Sequence, residues 1–187
     1  MSLFEFIIGM ISVILALAIA QLFAGVADLM LTRARVRFYL PYAVWVASLF
    51  LITFLHWWSL WTFRDIPWNF AMFFFSLLGP SLMFFATAII SPRNREEEIV
   101  DLEAHFLNIR KLFLGVLMLM VVFFGLDGPL FGTEPPFNLI RAAQLAIFVP
   151  AAIGLFSVNR YVHSAISLFI LASLCVGVVQ RFLPGQG

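Results

Sequence analysis

The chain has 187 residues, of which 63% are hydrophobic and 11% charged, and its mean hydropathy is +1.04. These values lie far outside the range of a soluble domain and are typical of a protein embedded in lipid. The formal net charge is +1 and there is no basic tail, so the charge gives no basis for a nucleic-acid partner. The single cysteine, Cys175, excludes an internal disulfide.

Six long apolar runs follow one another along the chain. A membrane core of about 30 Å requires about 20 apolar residues per helical crossing, and each run supplies roughly that number. We therefore expect an all-α fold, with one domain over residues 1–187 and six transmembrane helices, called spans 1 to 6. Their predicted bounds are Leu3–Leu31, Leu40–Phe63, Trp68–Ile90, Phe106–Leu126, Leu139–Ser157 and Tyr161–Leu183.

The loop between spans 3 and 4 has a helical pattern of its own. Asn94 and Glu97 have the spacing of a capping box. Apolar residues then recur three and four positions apart, at Ile99, Leu102, Phe106 and Ile109. The pattern predicts an amphipathic helix at 94–109 that lies on the membrane surface and offers a docking surface to a cytoplasmic partner.

The basic residues are unevenly distributed between the two sides of the predicted bundle. Eight of the eleven lie in the loops after spans 1, 3 and 5 or at their borders, namely Arg33, Arg35, Arg37, Arg93, Arg95, Arg110, Lys111 and Arg160. Cytoplasmic loops carry an excess of Lys and Arg, which places both termini outside, in the periplasm of a bacterial inner membrane. Tryptophans crowd the loop between spans 2 and 3, where they are expected to anchor the outer interface.

Three spans differ in the distribution of their polar residues. Small and polar residues share one face of span 1, from Glu5 to Ala27, which favours a helix-packing seam, with the lining of a pathway as the alternative. Span 3 carries a polar stripe through Ser76 and Pro80. Span 4 is apolar from Leu112 to Phe124 and is expected to face lipid.

The outer ends of the spans bring several polar and aromatic residues to a similar depth. They are predicted to form an outward-facing pocket for a small solute, because intramembrane polar residues are costly and mark functional sites. The alternative is a set of interfacial side chains in water. The candidate ligand-binding residues are Glu5, Ser12, His56, Trp57, Trp61, Asn69, Arg141 and Gln144.

The leading functional hypothesis is therefore a protein that binds or transports a small solute. A structural or regulatory membrane subunit and an intramembrane lipid-modifying enzyme, with His105 or His56 as acid or base, remain as alternatives. The sequence contains no HExxH, GxSxG or P-loop motif, so we predict no catalytic residue or metal site and leave any cofactor open. Membrane lipids and a second copy of the chain are the expected partners, the latter because small residues let helices approach closely.

Several segments together carry a resemblance to known proteins. They are the start of span 1 from Phe4 to Val13, the arginines of the first loop, the tryptophans that end span 2, the Gly79-Pro80 pair and the segment from Asp101 to Phe106. They resemble a group of small bacterial inner-membrane proteins of uncharacterised function. The resemblance implies a six-helix fold and carries no activity, substrate or site residues.

Overall fold

The computed structural model describes residues 2–92, 99–133, 135 and 147–182. It confirms the predicted all-α architecture. The helices are α1 (Leu3–Leu31), α2 (Leu40–Ser59), α3 (Phe70–Ile90), α4 (Leu102–Leu130), α5 (Phe148–Phe156) and α6 (Arg160–Phe182). Short 3-10 turns at Arg33–Arg35 and Leu60–Phe63 and two-residue strands β1 (Val36–Arg37) and β2 (Val100–Asp101) complete the described part.

Five of these helices are long and apolar enough to cross a membrane. They are α1, α2 with its 3-10 extension, α3, α4 and the Arg160–Val179 part of α6. The chain thus has the composition of a multi-pass membrane protein. Helix α5 is described over nine residues, and positions 139–146 of predicted span 5 lie outside the described residues.

Local hydrogen bonds fix the start of two spans at the same end of the bundle. At α1, the Ser2 amide donates to Glu5 Oε2 at 2.7 Å and the Glu5 amide donates to Ser2 Oγ at 3.2 Å, which is a capping box. At α3, the Met72 amide donates to Asn69 Oδ1 at 3.0 Å. These side chains satisfy amides that have no partner within their own helix.

The amphipathic helix predicted at 94–109 is wrong for residues 99–101. There the backbone is extended, and β2 pairs in parallel with β1, with Val36 opposite Val100. Helix α4 begins only at Leu102, which is buried in the core together with Phe106. Val100, Leu102, Phe106 and Ile109 therefore contact protein, whereas Ile99 is 63% exposed. Residues 94–98 lie outside the described part of the chain.

Asp101 explains why α4 begins where it does. Its Oδ1 accepts hydrogen bonds from the Glu103 and Ala104 amides, both at 3.0 Å, and its Oδ2 lies 3.5 Å from Arg37 Nη1. The amide hydrogen bonds, that from Ala104 above all, together with Arg37, lower the pKa of the Asp101 carboxyl. One carboxylate thus caps α4 and joins it to the strand that leads into α2.

Helix α4 packs one face against other helices, so the prediction that span 4 faces lipid is wrong for that face, while Leu112, Leu119, Val122 and Leu126 on its other side are exposed. It packs against α2, α3 and α5. Its side chains at Phe113, Leu114, Leu117 and Met120 are at most 1% exposed. A helix that is apolar on all sides carries no periodic signal that distinguishes protein from lipid neighbours, and only the tertiary contacts resolve the two.

Two glycines allow neighbouring helices to approach α4 closely. A Cβ at Gly154 of α5 would lie 2.8 Å from Leu114 Cδ1, and a Cβ at Gly79 of α3 would overlap the ring of Phe124. Small residues at such crossings are the usual means by which membrane helices increase their van der Waals contact.

Most of the small and polar face of α1 does not pack within the chain, so the expected seam is not formed between helices of the same chain. Gly9, Ala16, Ala20 and Ala27 are exposed. The buried side of α1 instead combines four branched residues, Ile7, Ile11, Leu15 and Leu22, with the small residues Ala18 and Gly25. Branched apolar side chains supply more dispersion contact in the core than alanine does, which explains the choice of face.

Candidate functional site

His56 is a buried polar residue near one end of α2. By helical rise it lies about 24 Å from Leu40 along the axis. Its side chain is 8% exposed and its ring stacks on that of Phe124 from α4, with centroids 3.9 Å apart and planes at 16°. Nε2 is fully buried and has no hydrogen-bond partner among the described residues. Such a group is uncommon in proteins and marks either a cost to stability or a place for a ligand.

A small cavity lies beside this imidazole, between α2, α3 and α4. Its polar lining residues are His56, Ser76 and Asp127, and the rest of its wall is mainly aromatic and includes Phe75 and Phe131. The cavity has a volume of about 10 Å³, counted over the positions that the centre of a water molecule can occupy. It therefore has room for about one water molecule. We call this cavity and its lining the His56 pocket.

Pro80 contributes an acceptor to the pocket through its effect on the backbone. It lies inside α3 and has no amide hydrogen, so the carbonyl of Ser76, four residues earlier, lacks the donor that a regular helix would supply. Both residues line the cavity. The Ser76 hydroxyl donates to the Phe73 carbonyl at 2.8 Å. A proline within a helix thus places a carbonyl oxygen at the site.

Asp127 brings a carboxylate to the opposite wall. It lies in the last turn of α4 and is half-buried, and its Oδ1 accepts from the Gly128 amide at 2.7 Å. The Phe131 amide donates to its backbone carbonyl at 2.9 Å, which holds the end of the helix. The lining of the pocket therefore includes an acidic residue, a histidine and a serine whose carbonyl lacks its helical donor, among mainly aromatic side chains.

The other two histidines are engaged by backbone carbonyls. His105 Nε2 donates to the Ile90 carbonyl at 3.0 Å, and His163 Nε2 donates to the Ser157 carbonyl at 3.1 Å. A carbonyl oxygen can only accept, so each of these nitrogens carries its proton. Both rings act as links between chain segments, which sets His56 apart. No group of three His, Cys, Asp or Glu residues in the described part of the chain is arranged to hold a metal ion.

Five other predicted site residues that the structure describes lie around the pocket's end of the bundle, namely Glu5, Ser12, Trp57, Trp61 and Asn69. Glu5 and Asn69 are exposed and cap α1 and α3. Trp57 Nε1 donates to Ser12 Oγ at 3.0 Å, which joins α2 to α1 on the surface. The structure thus brings two of the predicted residues together, and it separates these five positions from the interior position of His56.

Trp61 also lies on the surface and is 63% exposed. Its ring meets that of Phe4 edge-on at 6.4 Å, and the Arg64 guanidinium lies 5.1 Å from it. Arg141 and Gln144 lie outside the described residues, so their part in the site stays a prediction.

Sequence reasoning missed Asp127 and Phe124 as site residues. Phe124 ends the run assigned to lipid and is one of 23 phenylalanines, so nothing local distinguishes it. Asp127 did carry a signal, because it is a carboxylate directly after the apolar run Phe123–Leu126.

Comparison with known protein families, with curated proteins and with solved structures found no match to this chain. Its function is therefore argued from the geometry of the His56 pocket.

Gly79 is predicted to be essential to the pocket's shape. In Gly79→Ala the new methyl group displaces the Phe124 ring from its stack on His56, and we expect a loss of about 1–3 kcal/mol from overpacking, partly offset by the better helix propensity of alanine. Thermal unfolding in detergent measures the effect.

Gly115→Ala on α4 is the matched control, since a Cβ there meets no atom within 4 Å. It should be neutral or raise Tm slightly. Equal behaviour of the two variants would show that α3 and α4 do not approach as closely as described.

Proposed function

We propose that the protein binds a small polar solute in the His56 pocket and holds or transports it within the membrane. The observation that carries this proposal is the buried imidazole nitrogen of His56, which has no partner among the described residues, on a residue that lines a cavity together with Asp127. A buried polar atom of this kind costs free energy unless something occupies the space beside it. The geometry of the His56 pocket supports the binding of a solute. We add transport to the proposal because the chain has the composition of a membrane protein.

The lining indicates the chemical class of the solute. The Asp127 carboxylate and the Ser76 carbonyl are acceptors, and aromatic walls attract cations as well as apolar groups. A small solute with N–H or O–H donors, a cation included, suits this arrangement. A ligand larger than water requires the helices to separate, and α3 lacks a backbone hydrogen bond at Pro80, where a helix bends most readily.

We further propose six membrane spans, with α5 as part of the fifth, and both termini in the periplasm of a bacterial inner membrane. The distribution of Lys and Arg supports this orientation. Trp57, Trp58 and Trp61 are each at least half exposed at the end of the bundle that holds the His56 pocket, as expected of an interfacial anchor. The exposed small-residue face of α1 supports association of copies into a homo-oligomer.

The orientation predicts which loops are accessible from outside. With Cys175 replaced by Ser, an impermeant thiol reagent added to intact cells with a permeabilised outer membrane should label Asp65→Cys, between α2 and α3. Arg33→Cys, between α1 and α2, should be labelled only after the inner membrane is opened. The reverse pattern would invert the topology.

The solute-binding proposal predicts a difference between the wild-type protein and His56→Phe. Phenylalanine keeps a ring to stack on Phe124 and removes the nitrogen, so the fold should persist while a co-purified solute is lost. Native mass spectrometry of both proteins, released from mild detergent, detects the bound mass and the number of copies in the assembly. We expect at least a tenfold lower occupancy in the variant, because it loses a hydrogen bond between the imidazole and the solute, and a hydrogen bond to a charged group contributes about 1.5–3 kcal/mol.

Asp65→Asn, an exposed loop change at the same end of the bundle, is the control and should retain the solute. Equal occupancy in the wild type and His56→Phe would contradict the proposal. A bound protein of defined mass in place of a small molecule would favour a structural or regulatory subunit instead.

A further inference from the structure

Three other buried polar atoms without partners lie at the opposite end of the bundle from His56. They are the Tyr39 hydroxyl, Trp45 Nε1 and Arg110 Nε. All three can donate a hydrogen bond, and none has an acceptor among the described residues. Tyr39 is 6% exposed and Trp45 is fully buried, so solvent does not satisfy them.

One stripe of α4 brings these three donors to the same part of the bundle. Phe106, Arg110 and Phe113 are four and three residues apart, which places them within an arc of about 60° on the helix. Tyr39 packs on Phe106, with ring centroids 6.0 Å apart, and Trp45 packs on Phe113, with centroids 5.2 Å apart. Arg110 therefore lies on α4 between the two rings that Tyr39 and Trp45 contact. We call this set of residues the Arg110 cluster.

Arg110 has no carboxylate partner in the described part of the chain. One of its terminal nitrogens donates to the Leu107 carbonyl of its own helix. It lies about 12 Å into α4 from Leu102, at a half-buried position, where an unpaired cation is costly. A guanidinium presents five donors in a plane that matches the oxygens of carboxylates and phosphates.

A histidine and two residues of opposite charge lie beside the cluster. The His163 ring packs on that of Phe106, with centroids 5.2 Å apart. Arg160 and Glu103 both lie near the Tyr39 phenol, although neither is hydrogen-bonded to its hydroxyl. Burial and the Glu103 charge raise the pKa of Tyr39 to about 12, so the hydroxyl keeps its proton at neutral pH and remains a donor.

We propose that the Arg110 cluster binds a phosphate-type anion, with the Arg110 guanidinium and the Tyr39 hydroxyl as its main donors. Donors without acceptors require a ligand rich in acceptor oxygens, and phosphate is the group that arginine forks bind best. Its source is either the headgroup of an anionic phospholipid or free phosphate. Basic pockets between transmembrane helices are suited to lipid headgroups, which reach this depth through the bilayer. The site is independent of the His56 pocket, which lies at the other end of α2.

The test measures ligand-dependent thermal stability of the delipidated full chain in a neutral detergent. Three additions are compared: dioleoylphosphatidylglycerol, dioleoylphosphatidylcholine, and inorganic phosphate against chloride at equal ionic strength. At a tenfold excess over Kd, a bound anion should raise Tm by roughly 3–6 °C. A shift with phosphatidylglycerol alone identifies a lipid headgroup, and an equal shift with inorganic phosphate identifies the free ion.

Variants of adjacent residues show whether the shift arises at this cluster. Arg110→Gln should weaken the apparent affinity about tenfold or more, because a hydrogen bond to a charged group is lost. Lys111→Gln removes the same charge at the same depth from an exposed side chain and should retain the shift. If Arg110→Gln fails to fold, Tyr39→Phe, which loses only a hydroxyl, should still weaken affinity roughly 2–10-fold.

Three results would overturn the proposal. The first is the absence of any Tm shift with phosphatidylglycerol and with phosphate beyond that of their controls. The second is an equal loss of the shift in Arg110→Gln and Lys111→Gln, which would mean that the anion responds to general surface charge. The third is an unchanged shift in Tyr39→Phe, which would mean that the Tyr39 hydroxyl does not bind the anion.

Discussion

The need to satisfy every buried hydrogen-bonding group governs this bundle, because lipid offers no partner. Most buried hydroxyls meet it within their own helix. Ser48 donates to the Val44 carbonyl, Thr53 to the Leu49 carbonyl and Ser91 to the Thr87 carbonyl, at 2.7–2.8 Å. The four buried side-chain atoms of the described residues that have no hydrogen-bond partner therefore stand out. They divide into His56 at one end and the Tyr39, Trp45 and Arg110 donors at the other, and each group marks a proposed ligand site.

Helix α4 contributes to both sites. Its first half presents Arg110 between two aromatic rings, and its second half presents Phe124 and Asp127 to the His56 pocket. The close approach of Gly79 on α3 and Gly154 on α5 fixes the position of α4 in the bundle. The two sites thus lie at opposite ends of one helix, which packs against α2, α3 and α5.

Helix boundaries were predictable because they depend on local chemistry. The predicted spans 1 and 2 coincide with α1 and with α2 plus its 3-10 turn. The site was less predictable, because its residues come from three helices and meet only through tertiary packing. Glu5 and Asn69 illustrate a further difficulty. Each is a polar residue at the edge of a span, which led to its prediction as a binding residue, yet each caps a helix in the structure. For Glu5 the capping role was predictable, because the Ser2–Glu5 spacing is that of a capping box.

Histidine ¹⁵N NMR tests the account most directly, because the chain has only three histidines and variants assign each signal. His105 and His163 should show a protonated Nε2 bound to a carbonyl, in slow exchange with solvent. The account predicts that the His56 ring alone correlates with water or with an added solute, and that Gly79→Ala shifts its signal. A His56 ring in slow exchange, hydrogen-bonded to a protein group and insensitive to Gly79→Ala, would contradict it.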